Sequence, residues 1–190
     1  LRINPSEMVD MERFYAKLAL TLVRGKQLGW FEAAFSDCFP FESPKFRPAL
    51  EAVKKFAHVR IKAKEFLFYG EMLRTPQFEC GSSMVKWATD LPRMEKLEDA
   101  KSYDVDNVLA SAWLSPNGAV GLVFANRTAD TIAITVPWNE KDWFLKVGTP
   151  VIVSELRNGE WNEFETTLSD QMKFNIPAQD AVVIKVNRKN

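Results

Sequence analysis

The side chains most often used in hydrolytic chemistry are sparse in this sequence. The one histidine, His58, lies within a helical pattern and has no Ser or Cys at helical reach. Nucleophilic hydrolysis by Ser or Cys normally needs a histidine base, so we interpret His58 as a structural residue. One histidine also argues against a His-based metal site. No phosphate-binding loop or dinucleotide fingerprint is present, and we expect no metal and no cofactor.

Three carboxylates are candidates for a functional site because of their position in the chain. Glu32, Asp37 and Glu42 follow the apolar, glycine-containing run 27–31, which we interpret as a buried strand or a tight connector. Hydrolysis of a glycosidic bond needs two suitably spaced carboxylates, but among 25 acidic residues a pair proves little. We therefore assign no catalytic residue, expect these acids to face water, and keep Asp37 as a candidate for substrate binding.

Tryptophans provide the second group of candidates, because exposed indole rings stack on sugars. Trp30 follows the first helical segment, and Trp138 and Trp143 flank the polar stretch 139–142. We predict partial exposure for Trp138 and Trp143 and keep all three as substrate-binding candidates, although large aromatic side chains are more often packed in a core. Trp113 lies inside an apolar run and is predicted to be buried between two sheets.

Composition excludes several classes of protein. The 190 residues are 46% hydrophobic, and 25 basic side chains balance 25 acidic ones, which argues against a nucleic-acid-binding surface. No apolar run approaches the length of a membrane span. Cys38 and Cys80 are too few for a disulfide scaffold, and we expect two buried thiols, or a bridge between them if the protein is secreted.

Residues 1–75 carry helical periodicity. The first helix is predicted to be capped by Asn4 and to stop at Gly25, with an apolar face formed by Met11, Phe14, Tyr15, Leu18 and Leu22. Ser43-Pro44 is predicted to open a second helix. Its apolar stripe is predicted to consist of Leu50, Val53, Ala57, Ile61 and Phe68. Its basic residues, which we expect to face solvent, are Lys54, Lys55, Arg60, Lys62 and Lys64. Helix, short strand, loop and helix is the period of a βα-barrel's final unit.

Residues 83–187 are predicted to form an antiparallel β-sandwich. Short strands alternate with turn signals such as Pro116-Asn117-Gly118 and Asn158-Gly159, and 90–106 is interpreted as a charged connector. The fold class is therefore α+β, with an N-terminal helical pair, the remnant of a barrel end, followed by the sandwich. A helical face built to pack in a barrel is expected to drive self-association or to pack closely on the sandwich.

Four runs carry a resemblance to a known kind of protein. Residues 20–31 (LTLVRGKQLGWF) and 63–73 (AKEFLFYGEML) resemble the last strand and the last helix of large bacterial glycosidase-like barrels. Residues 110–118 (ASAWLSPNG) and 121–126 (GLVFAN) are similar to the C-terminal β-domain of such proteins. The resemblance implies the C-terminal part of a glycoside hydrolase-like protein, with the missing N-terminal barrel as its partner, and a secreted or periplasmic location.

Three functional hypotheses follow. The first is a non-catalytic C-terminal module of a polysaccharide-processing protein, because the catalytic acids of related glycosidases lie on barrel strands that this chain lacks. The second is an independent carbohydrate-binding module. The third is an interaction or scaffold domain without sugar contact.

Overall fold

The computed structural model describes residues 11–28, 47–87 and 101–189. Within these ranges the chain forms three helices, then strands interrupted by one further short helix. The helices are α1 (Met11–Val23), α2 (Arg47–Lys62), α3 (Lys64–Leu67) and α4 (Glu140–Trp143). The strands are β1 (Glu71–Leu73), β2 (Ser82–Trp87), β3 (Lys101–Asp106), β4 (Val108–Leu114), β5 (Val120–Asn126), β6 (Ile132–Pro137), β7 (Pro150–Arg157), β8 (Glu160–Thr167), β9 (Gln171–Ile176) and β10 (Asp180–Arg188).

The strands pair antiparallel throughout and build one large sheet with two ribbons. The large sheet has six strands in the order β1-β4-β5-β10-β7-β8, and the ribbons are β2-β3 and β6-β9. The hairpin between β7 and β8 turns at Asn158-Gly159, whose φ angles of 53° and 81° fit a two-residue turn. The predicted antiparallel β-sandwich and the α+β class are confirmed.

The central strands are buried on both faces. All seven residues of β5 are buried, and most of β10 is as well. Successive side chains of a strand point to opposite faces, so these strands supply two separate cores. The core facing the helices includes Val123, Ala125, Ala181 and Val183. The opposite core, which also contains side chains of β6 and β9, includes Leu122, Phe124, Val182 and Ile184.

Helix α1 lies against the large sheet, and its predicted apolar face is confirmed. Phe14, Tyr15, Leu18 and Leu22 are each at most 4% exposed and share one core with strand residues. The helix stops at Gly25 as predicted, since Gly25 has a φ of 62° and Lys26 N donates to Thr21 O at 3.0 Å. The sheet covers this face, so close packing on the sandwich, one of the two predicted alternatives, is confirmed, and self-association stays a prediction.

Helix α2 buries a different face from the predicted one. The buried residues are Ala49, Ala52, Phe56, Val59 and Arg60, whereas Ile61 is 65% exposed. The predicted stripe lies one position around the helix, because two alanines on the true face gave it little apolar weight. Lys54, Lys55, Lys62 and Lys64 are exposed as predicted, but Arg60 is not part of that solvated face.

Trp113 is buried at 7% exposure, but between the sheet and the helices and not between two sheets. A Cβ atom on Gly25 would lie 2.8 Å from Cη2 of Trp113, which shows how closely the end of α1 approaches the indole. The connector predicted at 90–106 contains strand β3, whose polar residues pair with β2. None of the helices in the described ranges has the length and apolarity required to cross a membrane.

Candidate functional site

The turn after β6 brings Trp138 and Trp143 together. Asn139 caps the short helix α4: its Oδ1 accepts a hydrogen bond from Asp142 N at 3.1 Å, and its Nδ2 donates to Asp142 Oδ2 at 2.8 Å. Phe144 then adopts a left-handed conformation with a φ of 59°, which ends the helix. The two indole rings meet edge to face, with centroids 4.7 Å apart and planes at 75°.

Both tryptophans are core residues. Trp138 is 7% exposed and Trp143 is 1% exposed. The indole N–H of Trp138 donates to Leu145 O at 2.8 Å, and that of Trp143 donates to Arg74 O at 2.9 Å. The prediction of partial exposure is therefore wrong, because the segment around Arg74, distant in the sequence, covers the pair. Neither ring presents a free face on which a sugar could stack.

A cleft of about 420 Å³ borders this pair. It lies between residues 75–77 and the turn after β6, and its polar lining comes from Thr75, Gln77, Asn139, Glu140 and Lys141. Glu140 is already engaged, because its Oε1 accepts a hydrogen bond from Val147 N at 2.6 Å. The amides of Gln77 and Asn139 also make hydrogen bonds within the chain, so Lys141 is the lining residue that can offer a charged group to a small polar ligand.

The other two predicted site residues, Trp30 and Asp37, lie outside the described residues, as do Glu32, Glu42 and Cys38. The structure therefore does not test whether Trp30 and Asp37 join the cleft, and substrate binding by the four candidates stays a prediction. Cys80 is a free thiol, partly buried beside β4, with its Sγ 3.6 Å from Val108 O.

A second, larger cleft of about 640 Å³ lies at the open edge of β4. Strand β1 pairs only with Ala112, Trp113 and Leu114, so the first half of β4 has no strand on that side among the described residues. The end of α1 and residues 75–78 form the walls, and the charged lining consists of Arg24, Lys26 and Asp106.

Carboxylates of the described residues take part in ion pairs on the surface. Glu65 accepts from Lys185 Nζ at 2.9 Å, and Asp180 lies 3.6 Å from Lys55 Nζ. Other pairs join Glu51 with Lys54, Asp142 with Arg74, Glu155 with Arg157, and Glu165 with Lys189. No group of His, Cys, Asp and Glu side chains within the described ranges is arranged to hold a metal ion.

The burial of Arg127 and of Arg60 was not predicted from the sequence. Arg127 is 4% exposed and donates to Asp106 O at 2.9 Å, to Val105 O at 2.7 Å and to Ser83 Oγ at 2.7 Å, which ties the β2-β3 ribbon to the sandwich. Arg60 donates to Gly25 O at 2.8 Å. Burial lowers the pKa of both guanidinium groups. Each binds backbone carbonyls of another element, which no local pattern reveals.

Comparison with known proteins identifies the class of module. Residues 98–179 match the family model described as the glycosyl hydrolase family 30 beta sandwich domain. The predicted resemblance to the C-terminal β-domain of glycoside hydrolase-like proteins is thereby confirmed. Residues 98–179 are thus similar to a β-sandwich domain of glycosyl hydrolases, and the match covers less than half of the chain. No curated protein sequence matches the chain.

Solved structures of glycoside hydrolases are similar over less than half of the chain. They include CelM2, a bifunctional glucanase-xylanase from a metagenome library (16% identity, TM-score 0.34), which covers 47% of this chain and 18% of that one. The GH51 arabinofuranosidase from Xanthomonas axonopodis pv. citri has 16% identity and a TM-score of 0.32, and the match covers 45% of this chain and 20% of that one. The catalytic domain of GH30 xylanase C from Talaromyces cellulolyticus has 15% identity and a TM-score of 0.30, and the match covers 46% of this chain and 20% of that one. The match thus spans at most a fifth of each of these proteins.

Proposed function

We propose that this chain is the non-catalytic C-terminal module of a polysaccharide-processing, glycoside hydrolase-like protein, in which the sandwich is joined rigidly to the end of a βα-barrel. The observation that carries this proposal is the core shared by the helices and the large sheet. Phe14, Leu18 and Phe56 from the helices pack in the same cluster as Val123 and Val183 from the strands. A module fixed in this way holds its position relative to whatever the helices belong to.

The packing at Gly121 supports a rigid connection. Gly121 lies on the sheet directly beneath Phe66 of α3, and a Cβ atom there would lie 2.5 Å from Cδ1 of the ring. Lys185 of β10 also reaches Glu65 of α3, with Nζ 2.9 Å from Oε1. A tight apolar contact and an ion pair therefore connect the same short helix to two neighbouring strands.

A test compares the purified chain with the product of the complete reading frame that contains it. Both are incubated with aryl xylosides, glucosides and arabinofuranosides, and both are run on gels containing xylan or β-glucan. We expect hydrolysis by the longer protein alone, and none by the 190-residue chain above a heat-treated control. Hydrolysis by the chain itself would contradict the proposal, as would a complete reading frame that encodes no barrel.

The gels also separate this proposal from the carbohydrate-binding hypothesis. Burial of Trp138 and Trp143 does not favour sugar stacking, so we expect the chain to migrate at the same rate with and without polysaccharide. Retardation that disappears in a Lys141→Ala variant would assign binding to the cleft beside α4 and would favour the independent binding module.

A further inference from the structure

A third cleft, of about 350 Å³, lies where helix α2 meets the turn between β7 and β8. Its polar lining comes from three elements and consists of Lys54, Lys55 and His58 of α2, Asn158 of the turn, and Asp180 of β10. We propose that this cleft binds a compact oxyanion of the phosphate or sulfate type. All of these residues lie in the described ranges, so the site does not depend on the proposed function.

The basic side chains of the cleft share one face of α2. Lys54 and Lys55 precede His58 by four and three positions, and residues at these separations are neighbours on a helix surface. The turn at Asn158-Gly159 forms the facing wall. A Cβ atom on Gly159 would lie 2.9 Å from Nε2 of His58, so a glycine at this position lets the imidazole pack directly against the turn.

The two lysines are only weakly engaged within the chain. Lys54 pairs with Glu51 at 2.8 Å, but both side chains are more than half exposed, and ion pairs of this kind contribute little to stability. Nζ of Lys55 lies 3.6 Å from Oδ2 of Asp180, which is longer than a normal hydrogen bond. An ammonium group carries three donors, so both lysines can turn donors toward an anion in the cleft.

Two further side chains of the cleft have donors without an acceptor. Within the described ranges, neither His58 nor the side chain of Asn158 takes part in a hydrogen bond. A neutral imidazole donates one hydrogen, and a side-chain amide donates two. Together with the ammonium groups they supply donors from both walls of the cleft. A phosphate or sulfate ion accepts several hydrogen bonds at once, and those from charged donors are the strongest.

The composition of the lining disfavours other ligands. Two lysines oppose one carboxylate, which is unfavourable for a metal ion. The carboxylate of Asp180 is also partly committed, because its Oδ1 accepts a hydrogen bond from Ala181 N at 2.8 Å. Among the described residues no aromatic side chain lines the cleft, so a neutral sugar has no ring on which to stack. Val59 is the one large apolar side chain of that lining, which is too little apolar surface for a hydrophobic ligand.

Titration of the ¹⁵N-labelled 190-residue chain with sodium sulfate tests the site. Sodium chloride is exchanged for sulfate so that the ionic strength stays constant, because general screening would otherwise shift many signals. We expect saturable changes in the amide signals of Asn158 and Gly159 and in the imidazole signals of His58. Gly118, in the turn between β4 and β5, reports on effects outside the cleft and should not change.

Two double variants with the same loss of charge provide the matched comparison. Lys54→Gln with Lys55→Gln should raise the dissociation constant for sulfate by about tenfold or more, because two charge-assisted hydrogen bonds are lost. Lys62→Gln with Lys64→Gln removes two exposed lysines that do not line the cleft and should leave the constant unchanged. Circular dichroism verifies that both variants are folded.

Asp180→Asn tests the sign of the charge at the site. The asparagine keeps an oxygen that can accept from Ala181 N, but it no longer attracts Lys55. The dissociation constant for sulfate should fall by about two- to fivefold, which is the effect of removing one partly screened charge. An increase would identify the cleft as a site for a cation and would overturn the proposal.

Dextran sulfate and neutral dextran distinguish the two sources of the oxyanion. Saturation by sodium sulfate assigns the site to a free ion, whereas saturation by dextran sulfate alone assigns it to a sulfate group carried on a polymer, and either result supports the proposal. Equal weakening of sulfate binding in the two double variants would show general attraction to a basic surface and would overturn it. A titration without saturation by either sulfate probe would overturn it as well.

Discussion

The contact between Gly121 and Phe66 provides a sharp test of the helix–sheet interface. A Cβ atom on Gly121 would lie 2.5 Å from Cδ1, 2.6 Å from Cγ and 2.7 Å from Cε1 of the Phe66 ring. These distances are far below van der Waals contact, and the ring is fully buried, so it has no free space into which it can move. Gly121→Ala should therefore force the short helix α3 away from the strand.

The magnitude follows from two opposing terms. Overpacking a close-packed core costs about 1–3 kcal/mol. Replacing a strand glycine with alanine stabilises the fold by about 0.5–1 kcal/mol, because the unfolded chain then has less backbone conformational entropy to lose. We therefore expect Gly121→Ala to lower the free energy of unfolding by about 0–2.5 kcal/mol. Phe66→Ala alone should cost about 3–5 kcal/mol, but it removes the clash, so adding Gly121→Ala to it should increase stability by about 0.5–1 kcal/mol.

The assay is urea unfolding followed by circular dichroism, with the four proteins of the double-mutant cycle measured side by side. Gly118→Ala is the matched control: Gly118 has a φ of 80° and no heavy atom within 4 Å of a Cβ, so its cost comes from the backbone alone. That cost should be the same whether or not the chain also carries Phe66→Ala. If Gly121→Ala has the same effect in both backgrounds, α3 does not pack on β5 as described, and the rigid connection loses its support.

Two further predictions concern residues that the structure buries unexpectedly. Trp143→Ala should lower the free energy of unfolding by about 3–5 kcal/mol, as large core truncations do. Trp143→Phe should lower it less, because an aromatic ring still fills most of the site. Thermal melts compare the two variants, and a small effect of Trp143→Ala would contradict the burial of Trp143. Arg127→Met leaves the carbonyls of Val105 and Asp106 without their donor at a cost of about 1–3 kcal/mol, and hydrogen exchange should show faster exchange in β2 and β3 than in β5. Equal acceleration in all three strands would mean that Arg127 supports the whole fold and not the ribbon.

The regular elements were predictable because their signals are local. Short apolar runs between turn signals such as Pro116-Asn117-Gly118 and Asn158-Gly159 predicted an antiparallel β-sandwich over residues 83–187, and the 3.6-residue period predicted the buried face of α1. Strand β3 was missed because Lys101, Asp104 and Asp106 are polar and exposed, and only pairing with β2 makes this segment a strand. The predicted division into 1–75 and 83–187 remains a prediction, and β1 (Glu71–Leu73) within the first of these segments pairs with β4 of the second.

The errors at the candidate site arise from contacts between distant parts of the chain. Trp138 and Trp143 flank a polar turn, so their neighbours in sequence predict exposure. The residue that covers Trp143 is Arg74, whose carbonyl accepts the indole hydrogen bond from 69 positions away. Arg60 shows the same effect, since its partner at Gly25 is 35 positions away. Sequence periodicity reports which side chains are apolar, but not which distant segment supplies a buried donor with its acceptor.

The burial of the central strands of the large sheet on both faces limits how this chain can be divided. Removing the helices would expose Trp113, Val123 and Val183 on one face of the sheet while the opposite face stayed covered by the β6-β9 ribbon. Removing the strands would leave the apolar face of α1 in water. Since apolar burial contributes roughly 25 cal/mol per Å², either separation loses a large share of the stabilising free energy. The helices are therefore a third layer of the sandwich, and under the proposed function they are also the end of the preceding domain. This double role would hold the sandwich in a fixed position on that domain.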